Sequence, residues 1–342
     1  MVNYFNKVSK CQKQVYLPGI FWKQSIEIIN KLYEQKGIYR FRAEELFLSL
    51  FVPTYGYPGN GFSKDRWEML MSIAQSLESN KEKMLLKNAL NGYSQAIADY
   101  RTFLSGYIPD DNMNLLNFSE SKIGNPIEQF EFDQKIYSRS SLNYLLGLTF
   151  LKKTMPSFSP RKVLEIGGGF GSLGEIIGKS KLNDMKYINF DLPVMFLISY
   201  DYLAKIFQDQ IFIPSPQNLD GHAWDTADLP TFSCLPNWEI ERITGEVDLF
   251  VNFISFQEME PSIVNNYAKQ ISRLKPKVLL LRNLREGKQV KRNNLMGVKK
   301  PILKDDYLKF FQNYSLVNSN VVPFGYQTLD GFHSELLILE RK

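Results

Sequence analysis

Four glycines, at positions 167, 168, 169 and 171, close the largely apolar run 163–166, whose third residue is Glu165; an amphipathic stretch begins at Ser172. A strand, a glycine loop and a helix in that order suit a ligand that approaches the backbone at a helix N-terminus, with no Cβ in the way. Twenty-four residues beyond Gly167, "YINFDLP" places Asp191 and Leu192 at the tip of a second strand. A carboxylate there can accept hydrogen bonds from both hydroxyls of a ribose, or else cap the helix that follows. Further on, "ISFQEMEPS" supplies Ser255, Gln257, Glu258 and Glu260. Glu258 is the first choice for a general base or hydroxyl anchor. Glu260, directly before Pro261, better suits the acidic first turn of a helix.

Two cofactor classes compete for the glycine loop. A nicotinamide fingerprint wants a glycine at position 172, where this chain has Ser172, and it has no use for an acid at 165. An acid there suits S-adenosylmethionine, whose ammonium needs an anion near the loop. The loop Gly167, Gly168, Gly169 and Gly171 would then face the methionine and ribose portions, with Ser255 after the fourth strand close by. Upstream, Tyr137, Arg139 and Ser140 precede the helix that leads into the first strand, and Arg139 can pair with the methionine carboxylate. The chain has two histidines. His222, in a loop beside Trp224 and Asp225, is the alternative base, whereas His333 is expected to be structural. Asp220, Asp225, Asp228 and Glu258 offer oxygen ligands, but four acids dispersed along a flexible loop are a weak basis for a cation site. No metal is expected.

These groups need a scaffold that gathers them. Residues 1–120 carry apolar positions at helical spacing and no parallel-strand pattern, which predicts a helical N-terminal region serving as lid, dimer surface or acceptor-binding element. Residues 121–342 alternate instead: a helix over 141–153, strand 162–166, helix 172–180, strand 186–190, helix 194–207, strand 210–213, strand 247–254, a helix after Pro261, strand 277–283 and a helix near 303–313. Such alternation predicts a parallel sheet covered on both faces. The final runs, "SLVNSNVVPF" and "SELLILERK", leave no room for a crossover helix and must pair antiparallel.

Composition removes several classes. A hydrophobic content of 44% with 23% charged residues describes an ordinary soluble domain, and no run is long enough to cross a membrane. Two cysteines, Cys11 and Cys234, give neither a disulfide framework nor metal-ligand spacing, and the N-terminus lacks the apolar core of a signal peptide. The expectation is a cytoplasmic protein. A net charge of +5 is too small to imply nucleic-acid binding.

"EIGGGFG", "FDLP" and "VDLFVNFISFQEME", with "IGNP" and "SRSSLNYLLGL" ahead of them, resemble the class I methyltransferases, and among these the sugar O-methyltransferase group. The resemblance covers roughly residues 121–342. It implies an α/β fold with a doubly wound, mostly parallel, seven-stranded Rossmann-like sheet whose last strand is antiparallel. It also implies methyl transfer from S-adenosylmethionine to a sugar hydroxyl, in the synthesis of a surface glycan or glycosylated metabolite. A phenolic or polyketide hydroxyl is the alternative acceptor, and a non-catalytic cofactor-binding partner in glycan assembly is the alternative class. The basic run 282–304 holds Arg282, Arg285, Lys288, Lys291, Arg292, Lys299, Lys300 and Lys304 against Glu286 alone. It reads as a mobile segment that receives a nucleotide- or lipid-phosphate-linked sugar, compatible with a peripheral position at a membrane. A solvated loop is the plain alternative.

Overall fold

The computed structural model describes residues 13–217, 219, 222–292 and 296–342. Helices come first: α1 (Ile20–Lys36), α2 (Glu45–Leu50), α3 (Lys64–Ser76), α4 (Asn80–Leu90) and α5 (Tyr93–Gly106). A small hairpin follows, β1 (Phe130–Phe132) paired antiparallel with β2 (Lys135–Tyr137). Its two-residue turn, Asp133 and Gln134, has positive φ at both positions, the twist that tight hairpins require. Helix α6 (Arg139–Thr154) then runs under the sheet, buried from Ser140 to Lys152, with the polar Asn143 and Thr149 among its buried residues. Ser138 and Ser141 form a reciprocal capping box at its start.

The alternating part gives β3 (Lys162–Ile166), α7 (Ser172–Ser180), β4 (Lys186–Asp191), α8 (Pro193–Phe207) and the two-residue strands β5 (Ile211–Phe212) and β6 (Trp224–Asp225). Next come β7 (Phe232–Pro236), β8 (Ile243–Thr244), β9 (Leu249–Phe253), α9 (Pro261–Arg273), β10 (Val278–Leu284) and α10 (Lys304–Phe310). Strands β11 (Tyr314–Asn320), β12 (Tyr326–Gln327) and β13 (His333–Arg341) complete the order. The main sheet runs β11-β13-β10-β9-β3-β4-β7-β5, with β12 beside β13. Strands β10, β9, β3, β4, β7 and β5 are mutually parallel, and β13 is antiparallel to both β10 and β11. This is a doubly wound, mostly parallel sheet with one antiparallel member. Its central strands are apolar runs buried on both faces, as helices on either side demand.

Two expectations need correction. The third parallel strand is β7, which pairs through five residues with β4; the run near 210–213 supplies only the short outer strand β5. Phe232–Pro236 is buried at every position, whereas Ile211 and Phe212 are half-buried, so the better-covered segment takes the inner place. The sheet also counts nine strands rather than seven, because β5 and β12 add two short ones to the seven-stranded core. The N-terminal helices share one hydrophobic core with the sheet: Tyr16, Ile29, Phe47 and Phe103 belong to the same cluster as Val163, Phe250 and Leu339.

Candidate active site

Parallel sheets bind ligands outside the carboxyl ends of their strands, and the large cleft of this protein lies there. It counts about 1320 Å³ of empty space including its mouth. The sheet contributes the glycine loop after β3, Asp191 at the end of β4 with Leu192 beyond it, Asn237 after β7, and Ser255 and Glu258 after β9. The opposite wall comes from the N-terminal region: Tyr16 to Gly19, Trp22 of α1, and Leu48 to Phe51 at the end of α2.

The glycine loop is built for close approach. Gly167, Gly169 and Gly171 all have positive φ. A Cβ on Gly169 would meet no protein atom within 4 Å, so the backbone here forms an open cradle in the cleft wall. A Cβ on Gly168 would instead strike Glu165, Asn189 and Tyr187 behind the loop. The Gly169 amide donates to Asp191 Oδ2 at 3.0 Å, and the Leu192 amide donates to Oδ1 at 2.7 Å. Burial pushes the Asp191 carboxyl up to about 7, against the pull of those two amides.

Glu165 lies behind the glycine loop and does not line the cleft. It is fully buried and accepts hydrogen bonds from Tyr144 (2.7 Å) and Tyr187 (2.5 Å). Burial raises its carboxyl to about 7, opposed by these two bonds. Tyr144 does line the cleft, stacked on Phe253 at 4.8 Å, so Glu165 reaches the site through that ring.

Glu258 is 7% exposed and faces the cleft. Its Oε2 accepts from the Trp22 indole at 3.1 Å, and Lys288 Nζ stands 3.4 Å from Oε1. Burial raises the carboxyl above its usual range, while Lys288 and Trp22 pull it back down. Ser255 Oγ donates to the Ile166 carbonyl and receives Asn252, which ties the turn after β9 to the end of β3. That turn pivots on Ile254, held at φ 73°, a conformation a β-branched residue rarely adopts and one concentrated at functional sites.

The remaining candidates divide. Ser140 lines the cleft. Tyr137 is packed among Tyr100, Phe118 and Phe132 and lies outside it. Arg139 also lies outside, donating to the Thr54 carbonyl at 2.7 Å and covering the rings of Tyr55 and Tyr326. His222 is exposed against Trp224, away from the cleft, and His333 pairs with Glu286 at 2.6 Å. Asp225 is used by the Ala227 amide and Thr244. No group of three or more His, Cys, Asp or Glu side chains among the described residues is placed to share a metal ion; Asp220 and Cys11 lie outside those residues. Arg282, counted with the basic run, is a buried strut under the sheet, donating to Asn143 and to the Phe324 carbonyl.

Asn237 escaped the sequence reading. Its Nδ2 donates to the Tyr16 carbonyl and the Tyr267 hydroxyl, while its buried Oδ1 has no donor. The Ser172 hydroxyl, at the start of α7, is likewise buried without a partner. Both line the cleft. Only a polar residue directly after β7 could have signalled Asn237, and the strand itself was missed.

No family model matches the chain, and no curated protein matches it either. Among solved structures it is similar to the mitomycin 7-O-methyltransferase MmcR, at 11% identity over 95% of this chain and 69% of that one, with a TM-score of 0.36. It is also similar to the magnesium protoporphyrin IX methyltransferase of Synechocystis PCC 6803 with bound SAH, at 10% identity, 59% and 83% coverage and a TM-score of 0.38. A third is the methyltransferase domain of a bacterial Hen1, at 13% identity, 60% and 100% coverage and a TM-score of 0.40. Likenesses this distant carry nothing about the chemistry of the cleft.

Proposed function

We propose that this protein binds S-adenosylmethionine and transfers its methyl group to a hydroxyl, with a sugar as the acceptor. The observation that carries the reading is the pairing of the Gly169 amide with Asp191 on the floor of a cleft whose other side bears Glu258. When bound, the cofactor supplies a methyl group on a positively charged sulfur. The residues fit such a group. Asp191 can accept from ribose hydroxyls, the open backbone at Gly169 leaves room for the chain that joins them to the sulfur, and Asn237 Oδ1 lacks the donor that an adenine amino group provides. Tyr144, held by Glu165, presents its ring to the same space.

Glu258 is the group proposed to take the acceptor's proton, from its position on the cleft wall. Its raised carboxyl makes it a stronger base than an exposed glutamate, and the Lys288 ammonium beside it favours the ionised form that can accept. The N-terminal residues Tyr16 to Trp22 close the cleft over the reactants as a lid and exclude water. The sugar rests on the sequence resemblance. Leu48, Leu50, Phe51, Pro53 and Met259 make much of the wall apolar and favour the second reading, a phenolic or polyketide hydroxyl. The cytoplasm is the proposed location, from cysteine usage; no described helix is long and apolar enough to cross a membrane.

A panel of nucleotide sugars and phenols, with release of S-adenosylhomocysteine as the readout, tests the reading. Turnover with a sugar supports it, turnover with phenols alone moves the acceptor to the second class, and cofactor binding without turnover on either arm leaves a binding protein.

A further inference from the structure

The basic run 282–304 resolves into cations that are already used and cations that are not. Arg282 is buried beneath the sheet. Arg285 and Lys304 both close on Glu335, at 2.8 and 2.7 Å. Lys288 stands beside Glu258 and over the ring of Phe21, 5.0 Å from its centroid. Lys291, Arg292, Lys299 and Lys300 remain, all exposed and none ion-paired among the described residues. Lys300 acts on Asp306 only through space, because the direct partner of that carboxylate is Lys309.

The four free cations lie on two described stretches, 288–292 and 296–300, that touch each other. The Lys291 amide donates to Val298 at 2.9 Å, and the Val298 amide donates to Gln289 at 3.0 Å, which closes the segment on itself. Both of its legs are rooted in the loop that carries the proposed base: Lys288 Nζ on Glu258, and the Lys299 amide on Glu260 Oε1 at 3.0 Å. The root of the segment is therefore held beside Glu258, a residue of the cleft wall. Both carboxylates that could have neutralised them, Glu258 and Glu260, are engaged at the root.

We infer that the exposed cations Lys291, Arg292, Lys299 and Lys300 form the binding site for a phosphoryl group carried by the acceptor, seated so that the neutral part of the same molecule enters the cleft beside Glu258. Four unpaired cations within ten residues match an anion of more than one charge. A single carboxylate would engage one of them, whereas a phosphate diester or pyrophosphate presents several acceptor oxygens at once. The inference rests on the methyl-transfer reading for what happens to the neutral part, but not for the anion site itself.

The test uses the full chain saturated with S-adenosylhomocysteine. One arm titrates inorganic pyrophosphate and a uridine diphosphate sugar by calorimetry at low and high salt. The other measures sedimentation with phosphatidylcholine vesicles with and without a polyprenyl phosphate. The wild type should bind at least one of these phosphoryl probes, more weakly as salt rises. The variant K291Q/R292Q/K299Q/K300Q should lose at least tenfold in affinity for that probe, and its residual binding should no longer depend on salt. A control removing four exposed cations elsewhere, Lys31, Lys81, Arg101 and Lys153 to Gln, should bind like the wild type. Binding confined to the soluble probes assigns a nucleotide carrier, and binding confined to the polyprenyl phosphate vesicles assigns a lipid carrier. No binding on either arm, equal binding by the first variant, or an equal loss in the control overturns the site. Failure of S-adenosylhomocysteine to bind is read separately and overturns the methyl-transfer proposal instead.

Discussion

The Trp22 indole donates to Glu258 Oε2 at 3.1 Å, joining α1 to the loop after β9 across 236 positions of sequence. One end of the N-terminal segment is thus fixed on the proposed base. The other end is fixed near Asn237, which holds the Tyr16 carbonyl at 2.8 Å, and Tyr33 further along α1 reaches Asp201 on α8. Trp22→Phe keeps the ring and removes the donor. Hydrogen bonds to charged groups contribute about 1.5–3 kcal/mol, and the variant should lose stability on that scale in a denaturant titration. An unchanged midpoint would mean that the contact contributes nothing to closure.

Asp191 should govern cofactor affinity and make it depend on pH. Asp191→Ala should weaken S-adenosylhomocysteine binding by roughly 1.5–3 kcal/mol, the scale of charge-assisted hydrogen bonds. Ribose hydroxyls donate to the carboxylate, and burial raises this carboxyl to about 7. Affinity should therefore rise about tenfold between pH 6 and 8, with a proton released on binding. Calorimetry in two buffers of different ionisation enthalpy reads both effects, and Asp191→Ala should abolish the pH dependence.

Glu258→Gln keeps the size of the side chain and removes the base. Turnover should fall about 10²–10⁴-fold while S-adenosylhomocysteine affinity holds. His222→Ala, outside the cleft, should turn over normally. The reverse outcome would transfer the proton to His222 and require the 222 loop to move.

Glu165 links the site to the stability of the fold. Its carboxyl goes from 4.5 in the unfolded chain to about 7 in the folded protein, so the folded state holds this proton more tightly. The contribution is complete below pH 4 and is lost as pH rises from about 4 to 7, on the order of 3 kcal/mol in all. Glu165→Gln removes that loss. The melting temperature of the variant minus that of the wild type should increase from pH 5 to pH 8, and a constant difference would show that the carboxyl does not titrate there.

The place of the glycine loop, Asp191 and Glu258 on the cleft is legible in the sequence because each sits within a few residues of a strand end, where local pattern fixes position. Residues 232–236 were not: "FSCLP" is short, holds Ser233 and Cys234, and reads as part of a long loop, yet it is buried through and through. Asn237 vanished with it. Tyr137 and Arg139 were placed near the loop by sequence order, but α6 starts with Arg139 turned toward Thr54 and Tyr55 instead. The arm from Tyr16 to Trp22 could not be read at all, since its partners lie more than two hundred residues away and no local periodicity encodes them. The composition of 282–304 gives a uniform basic segment, whereas folding sorts its cations into a buried strut, three ion-paired side chains and an exposed remainder.

The position of β13 bears on how the chain is made. It lies between β10 and β11 and pairs with all seven residues of β10, from Val278 against Glu340 to Leu284 against Ser334. While synthesis proceeds from the N-terminus, β10 therefore waits with one open edge until residues 333–341 have left the ribosome. That edge, "VLLLRNL", is five-sevenths Val and Leu, the composition that recruits other strands. At about 5–20 residues per second the wait lasts several seconds. During that interval β10 offers an unpaired edge to any other strand within reach.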